Sequence, residues 1–154
     1  MSAELPRSVR VYVDRQGIRD EPHLLQLVAR MMHEQKEWPG YQIDFFLVEV
    51  ERMRNLKRKY FGQRRVTDVI SLNYTTIPGF LEGEIYICVP TARTQAVKYS
   101  VTPQEEMLRL AAHGVLHLLG YNDETDAQRL KMHVLEDRAL TQHHKKKMTT
   151  ARYH

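Results

Sequence analysis

Thr102-Pro-Gln-Glu-Glu-Met-Leu-Arg-Leu110-Ala-Ala-His113-Gly-Val-Leu-His117-Leu-Leu-Gly120-Tyr-Asn-Asp123 is the stretch from which the rest of the chain can be read. Thr102 suits a helix cap, Pro103 suits the first turn, and Glu105 and Glu106 stand where the positive end of the helix dipole welcomes acids. The sequence therefore predicts a helix that carries His113 and His117, four residues apart and so on one face. Gly120 can end it in a left-handed turn, which lets a later residue swing back onto that face. The neighbours Leu110, Ala111, Ala112, Val115, Leu116 and Leu118 are apolar or small. Burying two imidazoles among them without partners costs on the order of a few kcal/mol each. A shared divalent ion satisfies both rings, and three protein ligands with an open fourth position mark a catalytic rather than a structural zinc site. The third ligand must come from beyond Gly120. Asp123 is the first choice, with Glu124 and Asp126 as less favoured substitutes. A bare histidine pair at this spacing is common on structural helices, so the apolar surroundings carry the argument.

Working outward, Val9, Val11 and Val13 alternate with Arg10, Tyr12 and Asp14, the period of a strand with one buried face. Leu24, Leu25, Leu27, Val28, Met31 and Met32 recur at helical spacing until Pro39-Gly40 breaks the run near Trp38, a packing anchor. Residues 41–50 read as a strand and 51–60 as a basic helix stopped by Gly62. Residues 66–74 and 83–89 read as strands joined through the Pro78-Gly79 turn, paired as a hairpin, with Ile85 and Ile87 facing one side and Tyr86 and Cys88 the other. A helix over 91–99 follows. Thr125 or Asp126 caps a last helix that runs through Leu130, Val134, Leu135 and Leu140. The fold class is α/β (α+β): one mixed sheet of about four strands flanked by helices, with the metal helix central. Residues 1–145 form a single domain and 146–154 a basic, flexible tail.

The 154 residues suffice for one core. No apolar run approaches the ~20 residues that span a bilayer, and the N-terminus lacks the features of a secretory signal, so the chain is expected in the cytoplasm, away from membranes. Lone Cys88 agrees with a reducing compartment and reads as a small core residue. The net charge of +4 is modest, but Arg52, Arg54, Lys57, Arg58, Lys59, Arg64 and Arg65 crowd one stretch, and His143, His144, Lys145, Lys146, Lys147 and Arg152 another. Each cluster alone is ordinary solvated surface; together they favour contact with phosphates.

The spacing of two histidines, a glycine and a third ligand resembles that of metzincin proteases. Those enzymes place a glutamate directly after the first histidine as general base, whereas Gly114 stands here and cannot move a proton. The run His113-Gly-Val-Leu-His117-Leu-Leu-Gly120-Tyr121 is similar instead to the signature of the YbeY family of bacterial metal-dependent endoribonucleases. Val66-Thr67-Asp68-Val69-Ile70-Ser71 resembles that family's Thr-Asp-Val segment, Gly83-Glu84-Ile85-Tyr86-Ile87 its next strand, and Asn55 with Tyr60 its preceding helix.

The resemblance implies a single-strand-specific endoribonuclease of 16S rRNA 3′ end maturation and ribosome quality control. It implies one divalent ion, Zn2+ by first choice, held by His113, His117 and Asp123. The expected partners are single-stranded RNA, rRNA and the small ribosomal subunit, with no small-molecule cofactor. Two departures stand out. Most members carry a third histidine at the place of Asp123, and a carboxylate there makes the site harder and less selective among divalent metals. Many carry an arginine directly after the tyrosine matching Tyr60, where this chain has Phe61; Arg58, Arg64 or Arg65 are expected to supply that charge. Arg58, Arg65 and Asp68 are the catalytic candidates, Asp68 as a carboxylate that orients a water or an imidazole. Glu84 is a candidate proton shuttle, and Tyr74 and Phe61 are candidate surfaces for RNA bases. The competing readings are a metallopeptidase-like hydrolase and a noncatalytic ribosome-assembly module with a structural metal.

Overall fold

The computed structural model describes residues 4–14, 21–63 and 67–152. The elements in chain order are β1 (Arg7–Val13), α1 (Glu21–His33), β2 (Gly40–Val48), α2 (Val50–Phe61), β3 (Val69–Asn73), β4 (Phe80–Cys88), α3 (Val89–Lys98), α4 (Pro103–Leu118) and α5 (Asp126–Arg152). The strands form one mixed sheet in the order β1-β2-β4-β3, with β1, β2 and β4 parallel and β3 antiparallel to β4. Parallel neighbours need helical crossovers, and α1 supplies one between β1 and β2. The expected hairpin is β3–β4.

Period-two alternation divides the sheet into two faces. Ile43, Phe45, Leu47, Leu81, Ile85 and Ile87 join the main core with α1 and α4, while Ile70, Tyr86 and Cys88 form a second cluster around Met53 of α2. Val9, Val11, Val13 and Trp38 pack against the main core as expected. On the α2 side the register row Tyr12, Phe46 and Tyr86 stacks ring on ring, with centroids 5.0 and 4.7 Å apart.

Two glycines let α4 lie close on the sheet. A Cβ on Gly114 would meet Ile85 Cγ2 at 2.7 Å and Ser71 Oγ at 3.1 Å, and one on Gly83 would meet both Leu118 methyls at 2.7 Å. Ser71 Oγ donates to Gly114 O (3.0 Å) and Asn73 Nδ2 to Leu118 O (3.2 Å), which pins the helix to edge strand β3. Because Ile85 is fully buried and has nowhere to move, Gly114→Ala is expected to cost about 1–3 kcal/mol in a urea titration, the range for overpacking.

Several expectations change. β3 begins at Val69, so Thr67 and Asp68 precede the strand rather than lie on it. β4 is an inner strand, and Glu84 on it accepts the Tyr86 hydroxyl on the α2 side of the sheet, opposite the face that packs on α4. Glu84 is therefore no shuttle for the histidines. Leu130 and Val134 of α5 are 67% and 58% exposed; Leu140 is buried as expected, and Met132, Glu136, Ala139 and His143 turn inward with it. The backbone helix of α5 continues to Arg152, past the expected start of the basic tail. Among the described residues no helix is long and apolar enough to cross a membrane.

Candidate metal centre

α4 begins with Thr102 Oγ1 accepting from Glu105 N at 3.1 Å. At its other end Tyr121 N donates to Leu116 O and Gly120 N to His117 O, both at 3.0 Å, with Gly120 at φ 101°. This is the paired-bond stop that a positive-φ glycine permits. The chain then doubles back, and a second cap holds the return. Thr125 Oγ1 accepts from Gln128 N, Gln128 Oε1 accepts from Thr125 N, and Arg129 donates to the Asp123 and Glu124 carbonyls. Those bonds place Asp123 beside the histidines.

His113 Nε2 and His117 Nε2 stand 3.0 Å apart. Asp123 Oδ2 is 3.2 Å from the second and 3.3 Å from the first. Three donors around one tetrahedral ion at ~2.0–2.2 Å stand roughly 3.3–3.6 Å from each other, close to this triangle. Among the described residues this is the one cluster with metal-ligating geometry. Of the substitutes, Asp126 is turned to Arg129, and Glu124 stands outside the triangle.

Glu136, which sequence reasoning passed over, is 2% exposed, and its Oε2 lies 2.7 Å from His113 Nδ1. That contact puts the His113 proton on Nδ1 and leaves a lone pair on Nε2, aimed at His117 and Asp123. In the neutral Nδ1–H tautomer Nε2 is proton-free, and a cation then satisfies all three sides of the triangle together. The donor set therefore fits a divalent metal. Burial opposes charge on His113, yet the hydrogen bond from Glu136 and the charges of Glu136, Asp123 and Asp68 outweigh it and raise its pKa above the usual range. Glu136 is held in turn by Arg109, whose Nη1 reaches Oε1 at 3.2 Å while Nη2 pairs with Asp137 at 2.7 Å. A signal for Glu136 was present: it follows Met132 by one turn and precedes Leu140 by another.

Glu106, two turns before His113, is 4% exposed. Burial raises its pKa, and the charges of Asp68 and Glu136 add to this against the opposing pull of Arg109. A carboxyl with a raised folded pKa is penalised once ionised, and the penalty is absent below the unfolded value near 4.5. Glu106→Gln is thus expected to raise the melting temperature at pH 7 and to gain nothing at pH 4.

The triangle opens into a cavity of about 450 Å³ between α4, β3 and α2. Asp68 lines it with its Oδ2 accepting from Gln95 Nε2 at 3.1 Å, so it steadies no imidazole; Glu136 has that task. From α2 the cavity receives Lys57 and Phe61, whereas Arg58 is exposed and outside the wall. Arg64 and Arg65 lie outside the described residues. Tyr74 is 44% exposed but not part of the wall.

An α/β domain with an open-sided His-His-Asp triangle at a helix end, facing a cleft that one lysine, Lys57, enters from α2, defines a class of candidate metallohydrolases. The sequence profile described as Endoribonuclease YbeY matches residues 13–144, and the chain belongs to that family. Proteins named Endoribonuclease YbeY are 36% identical in Endomicrobium trichonymphae (75% of this chain, 80% of that one), 31% in Flavobacterium psychrophilum (84% and 91%) and 41% in Helicobacter pylori (67% and 69%). The fold matches the solution structure of a Thermotoga maritima protein with a TM-score of 0.61 at 22% identity, over 92% of this chain and 93% of that one.

Proposed function

We propose that this chain is a metal-dependent endoribonuclease that cleaves single-stranded RNA, acting in the cytoplasm on rRNA of the small ribosomal subunit in 3′ end maturation and quality control. The observation that carries the reading is the triangle of His113, His117 and Asp123 at the mouth of a cleft of about 450 Å³. Membership of a family named for endoribonuclease activity supports it.

The three donors would hold the ion, with Zn2+ first choice for two imidazoles and a carboxylate. Such an ion supplies a Lewis acid for a phosphodiester oxygen and ionises water near neutral pH. The protein does the rest. Glu136 fixes the His113 ring and tautomer, the Gly120 turn fixes Asp123, and Lys57 brings positive charge to the phosphates. Asp68, held by Gln95, is assigned to orient the attacking water. Arg58 and Arg65 are assigned to phosphates further along the strand.

A peptidase would need a base beside His113, where Gly114 has no room for even a methyl group. The test is cleavage of single-stranded rRNA segments. Chelation should abolish it, added Zn2+ should restore it, and Asp68→Asn should lower kcat by about 10²-fold, typical of a lost proton-handling group. Peptide cleavage under the same control would establish the peptidase reading. RNA binding without any cleavage would establish the assembly-module reading.

A further inference from the structure

The side chains of the cleft divide by whether they are already engaged. On the β3 side Ser71 Oγ donates to Gly114 O, and Asn73 Nδ2 donates to Leu118 O while its Oδ1 accepts from Thr75 N. Asp68 accepts from Gln95, and Thr67 Oγ1 is directed to Asp68 at 3.5 Å. Each polar group that could read a base edge from this wall has a protein partner. The α2 wall differs. Met53, Lys57 and Phe61 follow one another at four-residue steps; Met53 is fully buried against the sheet, and the next two turns carry the stripe to the cleft. Phe61 is 47% exposed, a costly place for a phenyl ring unless something covers it, and Lys57 Nζ lies 4.7 Å from its centroid. The ammonium occupies one face of the ring. Tyr74, another exposed ring, lies off the cleft wall.

We infer that Phe61 and Lys57 form a one-nucleotide subsite beside the metal triangle. A single-stranded base stacks on the free face of Phe61, its adjacent phosphate pairs with Lys57, and no base edge is read. The inference rests on the nuclease reading above and deepens it. Stacking tolerates any base because every base has a π face, and it requires an unpaired strand. The position directly after Tyr60 would thus hold a stacking surface, with the cation one turn earlier.

The test uses the metal-loaded full chain and short single-stranded RNAs. Phe61→Ala is expected to raise KM about tenfold while kcat stays within about twofold, the loss of one base–aromatic stack. Phe61→Leu, which keeps apolar bulk, should behave like Ala, and Phe61→Trp like the parent. One abasic nucleotide at the affected position should raise the parent KM by a similar factor and add nothing in Phe61→Ala. RNAs that differ only in that base should have KM values within about threefold of each other. Unchanged KM in both Phe61→Ala and Phe61→Leu, or discrimination among the four bases beyond about tenfold, overturns the subsite. If the parent cleaves no RNA, the nuclease reading fails, and the subsite is judged by 2-aminopurine fluorescence in the same RNAs. Quenching by the parent but not by Phe61→Ala supports it, and no quenching overturns it.

Discussion

His117→Ala is expected to release the metal and to reduce RNA cleavage by roughly three orders of magnitude or more, since the ion is asked to supply several kcal/mol of transition-state stabilisation. His117 contributes two of the three sides of the ligand triangle, at 3.0 and 3.2 Å. Without it one imidazole and one carboxylate remain, too few donors for tight binding of zinc. The fold should survive. α4 is fastened to the sheet by Ser71, Asn73 and the close contacts at Gly83 and Gly114, none of which uses the ion. Far-UV circular dichroism should therefore match the parent while bound zinc and cleavage disappear together. Parent-like cleavage by a variant proven free of zinc would place the chemistry elsewhere.

Glu136→Ala is the second large effect, and it falls on both stability and metal binding. The carboxylate is nearly fully buried and takes Arg109 on one oxygen and His113 on the other. Removing one partner from a buried ionic cluster strands the others, at a cost of about 3 kcal/mol. Losing the group that orients a ligand imidazole weakens metal affinity by typically 10–100-fold. Glu136→Gln keeps the shape and an acceptor, so it should lie between the parent and Ala in zinc affinity. Calorimetric titration with zinc measures the affinity, and thermal melts at several zinc concentrations separate it from stability, because bound metal raises the melting temperature by mass action. Parent-like affinity in Glu136→Ala would show that His113 needs no carboxylate behind it.

The metal helix was legible because its signals are local. Thr102, Pro103, the i,i+4 histidines and Gly120 each act within a turn or two of their own position, and the structure uses each as read. The hairpin and the opposite facing of Ile85 and Tyr86 followed equally from turn chemistry and period two. The errors arose where local pattern gives no answer. In α5 the exposed Leu130 and Val134 mimic an apolar stripe about 200° round the helix from the true one. The true stripe carries Glu136 and His143, whose burial is bought by partners on other elements and not by their own polarity. That displaced stripe hid the carboxylate behind His113.

α2 posed a different difficulty. Arg52, Arg54, Lys57, Arg58 and Lys59 surround the helix with charge, so no period singles out the residue that meets the cleft. Arg58 was the expectation and Lys57 is the wall residue, because buried Met53 sets the rotation of the helix and Lys57 lies one turn along the same stripe. Strand order likewise follows from long-range pairing, so the sequence could not place Glu84 on an inner strand with β3 beside it.

The central claim is that His113, His117 and Asp123 grip one ion that drives RNA cleavage. Elemental analysis of the zinc-equilibrated, exhaustively dialysed chain, run beside His117→Ala and paired with cleavage assays on the same samples, tests it most directly. The account predicts one zinc per parent chain, none in the variant, and cleavage only where zinc is found. Equal zinc in both chains, or a zinc-free parent that still cuts RNA, would contradict it.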